Sequence, residues 1–403
     1  MSAGLIVLLL AMLLGIQPVT TDLYLPALPA LTEGFAATLP QAQLTLSALL
    51  LAFGLSQLMW GPLSDRFGRR PILLWGLAAY TLASFASALA PSMQQLITWR
   101  TVQGIAMGAV VVCARAIVRD LYKPQDGARI MSKGLSGLGL LACICAPLGG
   151  LLTELANWRV ALMALPVFGS LVLGLTVLRF QETLSQKNPH ALRAGTLLRT
   201  WRDILSNPAF LAFSVLSAAS YGGLFTFLAS SSFVFINVLG LSKGQYGLMM
   251  FFMSMSYITG TFICRRLLLR FGLTRAVAVG AAFSLAGGTL LGVLAWAQVH
   301  TVWAIMVPMA LFMMGHGVHQ PCGQSGAVGP FPQSAGAASA LNGFSMMLVA
   351  FVIGSWLGTR MDGTVNPLAN GVWLCSAVLV ACAWTLVRKY GEPAHAKPAT
   401  ANA

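Results

Sequence analysis

The sequence predicts an all-α membrane protein whose twelve transmembrane helices form two six-helix halves. Three observations lead to this expectation: a composition poor in charge, a series of long apolar segments, and a weak repeat of the first half of the chain in the second. Of the 403 residues, 57% are apolar and 8% are charged, against about 25% charged in ordinary soluble domains. A soluble fold of this size does not cover its surface with so few charges, so many membrane spans are expected.

Each helix that crosses a bilayer needs about 20 mostly apolar residues, and segments of this kind recur along the whole chain. Charge clusters and Gly or Pro turns separate them. The first segment lacks the charged start and the small-residue cleavage site of a signal peptide, so it is expected to be the first span. The predicted spans cover residues 5–30, 41–63, 72–91, 93–114, 134–156, 159–179, 208–237, 245–269, 276–297, 301–323, 334–358 and 368–387.

The net charge of +14 follows a topological pattern. Most basic residues lie between spans 2 and 3, 4 and 5, 6 and 7, or 8 and 9, or after span 12, and an even span count puts all of these on one side. Basic residues in short connections mark the cytoplasmic side of a membrane. Both termini are therefore predicted to be cytoplasmic, and the charge does not indicate a nucleic-acid partner.

The longest connection lies halfway along the chain and separates the two halves. Its second part has a helical spacing of apolar residues among arginines, which predicts a short amphipathic helix on the membrane surface; these apolar residues are Leu197, Leu198, Trp201 and Leu205. The expected organisation is a six-helix bundle, a cytoplasmic linker, a second bundle and a cytoplasmic tail, over residues 1–180, 181–207, 208–388 and 389–403.

A repeat supports this division. Asp65-Arg66-Phe67-Gly68 precedes span 3, and Leu269-Arg270-Phe271-Gly272 precedes span 9 at an offset of about half the chain. Gly76 and Gly280 stand at the same offset. Repeated halves with a binding site between them are typical of secondary transporters.

The stretch Gly61-Pro62-Leu63-Ser64-Asp65-Arg66-Phe67-Gly68-Arg69-Arg70-Pro71 is the most specific motif in the chain. Gly61 and Pro62 are expected to break the second helix, Gly68 to permit a left-handed backbone, and Asp65 to pair with a nearby arginine or to cap a helix. The motif resembles the signature of the major facilitator superfamily, and the resemblance covers the full length. It implies that family's fold, alternating access, and a role in conformational gating for Gly61, Asp65, Arg66, Gly68 and Arg69.

Finer motifs resemble the Bcr/CflA group of drug:proton antiporters. They are Asp22 to Pro29 in span 1, Arg100 to Gly104 in span 4, Ala146 to Gly150 in span 5 and Ala335 to Ala340 before span 11. Ala146 replaces the first glycine of the group's antiporter motif. The resemblance implies proton-coupled efflux of small amphipathic drugs or toxic metabolites from a bacterial inner membrane, with Pro147, Gly149 and Gly150 forming a close helix contact that restrains leak.

Asp22 and Arg100 are the two acidic or basic residues expected well inside the hydrocarbon region, where a charge needs a functional or a pairing reason. Both are expected about 10–12 Å below the outer surface, so direct or water-bridged pairing is open. Burial of a carboxylate favours proton binding, whereas a nearby cation favours the ionised form. Proton and substrate would then compete for Asp22, with Arg100 modulating it; the alternative is a static ion pair that holds two helices together.

Further substrate contacts are predicted from helix faces. Gln17, Thr21 and Tyr24 share one face of the first span at i, i+4 and i+7. A second face in span 10 carries Met309, Met313, His316 and Gln320. His316 titrates near neutral pH when exposed, and methionines adapt to varied ligands, although such a membrane histidine is more often a hydrogen-bonded core residue. Gln103 and Tyr221 complete the predicted set.

No nucleotide-binding loop and no zinc-hydrolase motif occurs in the sequence, so we expect a transporter that uses the proton gradient and no cofactor or metal. Two alternatives remain: a nutrient or metabolite symporter or uniporter of the same fold, and a multi-spanning membrane enzyme. The enzyme would need clustered acidic or histidine residues at the membrane edge. The expected partners are a small-molecule substrate, protons and the lipid bilayer, without nucleic acid, and the expected state is a monomer.

Overall fold

The computed structural model describes residues 3–122 and 124–391, and in this part the chain consists of helices and turns without β-strands. The α-helices are α1 (Ala3–Asp22), α2 (Leu28–Gly34), α3 (Leu39–Phe67), α4 (Arg69–Ala88), α5 (Met93–Leu121), α6 (Pro124–Leu155), α7 (Trp158–Arg179), α8 (Ala194–Leu205), α9 (Pro208–Ser232), α10 (Lys243–Trp296), α11 (Val302–Val328), α12 (Ala335–Arg360), α13 (Asn366–Cys382) and α14 (Arg388–Tyr390). Most of the predicted tail, residues 392–403, lies outside the described residues.

The predicted all-α membrane architecture is confirmed. Eleven helical segments of the described chain are long and apolar enough to cross a membrane. One of them, α10, has 54 residues and loses helical geometry at Gly272, where φ is 77° and ψ is 179°. Because α10 therefore supplies two spans, the described part of the chain has twelve, at the positions expected from the sequence.

The turn between the second and third spans differs from the prediction. α3 continues through Gly61 and Pro62 and ends at Phe67, so the expected break at Gly61–Pro62 is wrong. A proline inside a membrane helix is tolerated because neighbouring groups take up the freed carbonyl. The chain instead turns at Gly68, whose φ of 109° is left-handed backbone that glycine adopts readily. Gly272, its counterpart in the sequence repeat, turns α10 in the same way.

The repeat extends to the opposite ends of the same helices, where they begin. Thr38 caps α3 in a capping box with Gln41, and Ser242 caps α10 in a capping box with Gln245. Each hydroxyl accepts from the backbone of the glutamine, and each glutamine side chain accepts from the backbone of the capping residue. The second and eighth spans thus begin and end with the same local structures.

The membrane helices form two sets, α1–α7 before α8 and α9–α14 after it. The two sets contact each other mainly along two helix pairs, α3 with α12 and α6 with the first part of α10. Small residues let the backbones approach at these crossings, as is usual between membrane helices. A Cβ added at Gly54 would lie 2.6 Å from the Met347 Cβ, and one added at Gly358 would lie 2.9 Å from the Pro40 Cα. Between the sets, α8 carries Leu198 and Leu205 on its exposed surface and buries Ile204.

Candidate functional site

Asp22 is the last residue of α1. The chain leaves the helix at Leu23 and Tyr24 before a 3-10 turn over Leu25–Ala27. The Thr21 hydroxyl donates a hydrogen bond of 2.8 Å to the Asp22 carboxylate, which is partly exposed. Within the described residues this is its one side-chain hydrogen bond, and no basic group forms an ion pair with it. The carboxylate therefore keeps acceptor capacity for a proton or a ligand.

The surroundings of Asp22 come from both sets of helices. Asp22 lies within electrostatic range of Tyr221 of α9 and Tyr246 of α10, and also of Cys143 and Cys145 of α6. The Tyr221 hydroxyl is near the Gln17 side chain of α1. Sequence reasoning predicted Gln17, Thr21 and Tyr221 but missed Tyr246, because a tyrosine near the start of a span is usually an interfacial residue.

The two glycines of the antiporter-like motif face different neighbours. A Cβ added at Gly149 would collide with the Leu23 carbonyl oxygen at the break after Asp22, and one added at Gly150 would collide with the Lys243 carbonyl oxygen at the start of α10. Pro147 lies against Gly247, where an added Cβ would come within 2.8 Å of the proline Cα. This segment of α6 therefore packs against the break in α1 on one side and against α10 on the other.

Arg100 is fully buried inside the first set of helices. Within the described residues it forms no ion pair with Asp22, so the direct pairing that the sequence left open does not occur in this structure. Its guanidinium donates to the Gln103 side chain at 2.8 Å and to the carbonyl oxygens of Thr20 and Thr45 at 3.2 and 3.4 Å. Its carbon atom Cζ lies 4.2 Å from the centre of the Tyr24 ring. Its contact with α1 is thus made by the Thr20 main chain, two residues before Asp22.

Tyr24 and Gln103 likewise belong to this buried cluster rather than to the surroundings of Asp22. The Tyr24 hydroxyl donates to Thr45 at 2.7 Å, and the Gln103 amide donates to Ser84 at 2.6 Å. The predicted helical face of Gln17, Thr21 and Tyr24 is wrong in its third member, because α1 ends at Asp22 and the helical spacing ends with it. Neither side chain is exposed.

The α11 residues predicted to share one helical face are largely buried. They are connected to the surroundings of Asp22 through α9. Met309 and Met313 pack in the core. The His316 ring contacts the Ser220 hydroxyl at 2.8 Å and lies 5.5 Å from the Tyr257 ring. Ser220 precedes Tyr221, so α9 presents one residue to α11 and the next to α1. The Gln320 side-chain oxygen is buried, and no described residue forms a hydrogen bond with it.

A second cluster joins the end of α3, the start of α4 and the end of α5. Arg69 is 2% exposed and pairs with Asp65 at 2.6 Å and with Asp120 at 2.8 Å. It also donates to the Ser64 hydroxyl at 2.7 Å. Arg119 reaches Asp65 at 3.8 Å. Arg66 is exposed and lies 5.5 Å from the Phe67 ring, and it forms no ion pair within the described residues.

Glu182 in the linker caps the start of α4, the role considered for Asp65. Its carboxylate accepts from the backbone N–H groups of Arg69 and Arg70 at 2.9 and 3.0 Å and from those of Thr183 and Leu184. Burial opposes ionisation, but these four hydrogen bonds outweigh it and hold the pKa of the carboxyl below its usual range. Neither Glu182 nor Asp120 was predicted, because both reach the motif from distant parts of the sequence.

The fold and the position of Asp22 together define a class of protein. Twelve membrane spans in two repeated sets, with a partly exposed carboxylate where the sets meet, are the architecture of a secondary transporter. The model of the Major Facilitator Superfamily matches residues 6–399. The chain belongs to this superfamily, and it is a multi-pass membrane transporter rather than an enzyme.

The chain is similar in sequence to bacterial resistance proteins. The chain is 31% identical to Multidrug resistance protein D of Escherichia coli, with 96% of this chain and 98% of the relative covered. It is 26% identical to the Bicyclomycin resistance protein homolog of Haemophilus influenzae, with 94% and 95% covered. The predicted resemblance to the Bcr/CflA group is confirmed by these matches.

The fold is also that of solved transporters. The inward-open xylose transporter XylE from E. coli superposes with a TM-score of 0.76, covering 98% of each chain at 15% identity. At this identity the likeness concerns the fold alone.

Proposed function

We propose that the protein exports small amphipathic drugs or toxic metabolites in exchange for protons, by alternating access across a bacterial inner membrane. The observation that carries this proposal is the position of Asp22: a carboxylate at the end of a broken helix, facing residues of both sets, with one hydroxyl donor and no cationic partner in the described chain. The names of the relatives, which are resistance proteins, support the export of drugs.

The proton and the substrate compete for this carboxylate in our proposal. A carboxylate in a low-dielectric site binds a proton when no cation compensates its charge, and it releases that proton when a cationic or hydrogen-bonding ligand takes its place. Gln17, Thr21 and Tyr221 border the same space and would orient the ligand through their polar atoms. Met313 and His316 would form its deeper wall on the side of the second set.

Arg100 has a positioning role in this scheme rather than a direct one. Its hydrogen bond to the Thr20 carbonyl fixes the backbone two residues before Asp22. The cluster around it therefore holds the end of α1 in place while Asp22 changes its proton. Tyr24 and Gln103 act with Arg100 in this support.

The cluster around Arg69, which we place on the cytoplasmic side, and the α6 glycines would serve as gates. Asp65, Gly68 and Arg69 hold the turn between α3 and α4, and Arg119 extends this cluster towards α12, where an added Cβ at Gly336 would lie 3.3 Å from its guanidinium. Gly149 connects the break at Asp22 to the α6–α10 contact of Gly150. We propose that both termini are cytoplasmic, that the protein acts as a monomer, and that the proton gradient is its energy source without a cofactor.

A susceptibility panel tests the proposed class of substrate. An E. coli strain deficient in efflux would express the wild-type protein, Asp22→Asn, or Asp203→Asn, a matched control on the exposed surface of α8. We expect the wild type and the control to raise resistance to at least one amphipathic compound, with the loss of that resistance in Asp22→Asn. A wild-type protein that gives no resistance and takes up a metabolite would assign the chain to the nutrient carriers.

A further inference from the structure

The outer ends of α6 and α10 are joined by a glutamate that the predicted mechanism does not use. Glu154 lies in the last turn of α6, and its carboxylate accepts hydrogen bonds from the backbone N–H of Gly244 at 2.5 Å and from the Ser242 hydroxyl at 3.1 Å. Ser242 is the capping residue of α10, and Gly244 is in its first turn. The contact therefore connects a side chain of the first set to the start of a helix of the second.

The local structure of α10 suits an incoming carboxylate. The Ser242 hydroxyl accepts from the Gln245 backbone at 3.2 Å and donates to Glu154, so both of its hydrogen-bonding functions are used. A Cβ added at Gly244 would lie 2.7 Å from the Glu154 oxygen, so a side chain there would displace the carboxylate from its present position. The partial positive charge at the start of a helix also favours a carboxylate there.

The repeat provides a comparison inside the same molecule. At the offset that relates Gly68 to Gly272, Gly244 corresponds to Pro40 and Glu154 corresponds to Gly358. Pro40 and Gly358 also meet, at the outer ends of α3 and α12. Proline has no backbone N–H to donate and glycine has no side chain to accept, so the Pro40–Gly358 pair cannot form this hydrogen bond. At this crossing the hydrogen bonds to the second set come instead from Gln43, whose amide donates to the Ala229 carbonyl oxygen at 2.7 Å and to the Met361 sulfur at 3.5 Å. Of the two corresponding pairs, only the one with Glu154 is hydrogen-bonded.

We propose that Glu154 is an outer latch: its hydrogen bonds to the start of α10 hold the outer ends of α6 and α10 together, and they break each time the transporter opens outward. This inference rests on the proposed function only in assuming that the outer ends separate during the transport cycle. Glu154 is thus a positioning residue that sets the balance between outward-closed and outward-open states and does not touch the substrate.

The size of the effect follows from the nature of the contact. Hydrogen bonds to a charged group are stronger than neutral ones, but Glu154 is exposed and water competes for it. Removing the carboxylate should therefore raise the ratio of outward-open to outward-closed molecules about fivefold. Glu154→Gln keeps an acceptor oxygen without the charge, so its shift should be smaller.

Distance measurements between spin labels at Ala156→Cys and Leu248→Cys report this ratio, because both positions are exposed and the seven native cysteines are buried. The labelled protein, purified in lipid nanodiscs without substrate, would be compared with its Glu154→Ala, Glu154→Gln and Ser242→Ala variants. Glu33→Gln is the matched control, another exposed outer glutamate of the first set, with no side-chain hydrogen bond to a described residue.

We expect Glu154→Ala to enlarge the long-distance population about fivefold, Glu154→Gln and Ser242→Ala to do so less, and Glu33→Gln to match the wild type. Ser242→Ala should add little to Glu154→Ala, because both act on one contact. A Glu154→Ala distribution identical to the wild type would overturn the latch. Since no substrate or gradient is present, this result is independent of the direction of transport that the susceptibility panel determines.

Discussion

Asp22 and Arg100, the two charges that the sequence places at nearly the same depth in the membrane, have opposite surroundings. Arg100 is fully buried, and an amide, two carbonyl oxygens and an aromatic ring surround its guanidinium. Asp22 is partly exposed between the two sets of helices and receives one side-chain hydrogen bond within the described residues. The arginine is held by partners that all belong to one set, whereas the residues around the aspartate come from both.

This difference indicates which charge takes part in transport. A charge whose hydrogen-bonding positions are filled by its own bundle is costly to disturb and has no reason to exchange partners. A carboxylate with one donor, placed where two moving bodies meet, can bind a proton in one state and a ligand in another. In our proposal, Arg100 therefore supports the architecture, and Asp22 carries the exchange.

The largest expected effect comes from removing the arginine. Arg100→Ala leaves the Gln103 amide oxygen and two carbonyl oxygens without their donor and opens a cavity beside Tyr24, which should cost about 3 kcal/mol of stability. Thermal unfolding of the purified protein in detergent measures this loss. Arg100→Lys keeps the charge without the planar guanidinium, so its stability should lie between those of the wild type and Arg100→Ala. An alanine variant as stable as the wild type would remove the supporting role.

Removing Gln103, a partner of Arg100 in the buried cluster, should reduce stability less than removing Arg100 itself. Gln103→Leu removes the link between Arg100 and Ser84, so we expect a loss of about 1–2 kcal/mol in stability, with transport per folded molecule unchanged. The two readouts are thermal unfolding and efflux normalised to folded protein. A stable Gln103→Leu protein without transport would instead return Gln103 to the substrate pathway, where the sequence motif had placed it.

The smallest effect on stability is expected beside the aspartate. Thr21→Val keeps the shape of the side chain and removes the hydroxyl that donates to Asp22. Stability should remain close to that of the wild type because the site is partly hydrated. Efflux should fall about fivefold, corresponding to one hydrogen bond of about 1 kcal/mol. Thr21→Ser, which retains the hydroxyl, should transport normally. If valine and serine behave alike, the hydroxyl does not act on Asp22.

The comparison also shows what the sequence can establish. Span positions follow from apolar length, so all twelve were predicted, and the rise per residue placed Asp22 and Arg100 at one level. Depth says nothing about the direction of a side chain around its helix. Depth therefore left a direct pairing of the two charges open, whereas in the structure Arg100 bonds to the Thr20 main-chain carbonyl and not to Asp22.

Other features depended on contacts between distant segments. Glu182 approaches the start of α4 from the linker, and Asp120 approaches Arg69 from the end of α5. The sequence does not mark Asp22 as the end of α1, because prolines occur both before it, at Pro18, and after it, at Pro26. Tyr24 was therefore assigned to the wrong face. Local patterns thus predicted the helices, but the partners of the charged residues required the folded structure.

Transport in proteoliposomes tests the central claim, that Asp22 couples substrate movement to protons. The substrate would be a compound to which the wild type confers resistance, and its flux would be followed with and without an imposed pH gradient. We predict that the gradient accelerates opposing substrate movement in the wild type, whereas Asp22→Asn transports slowly and at the same rate with or without the gradient. An Asp22→Asn protein that is driven by the gradient as strongly as the wild type would contradict the account.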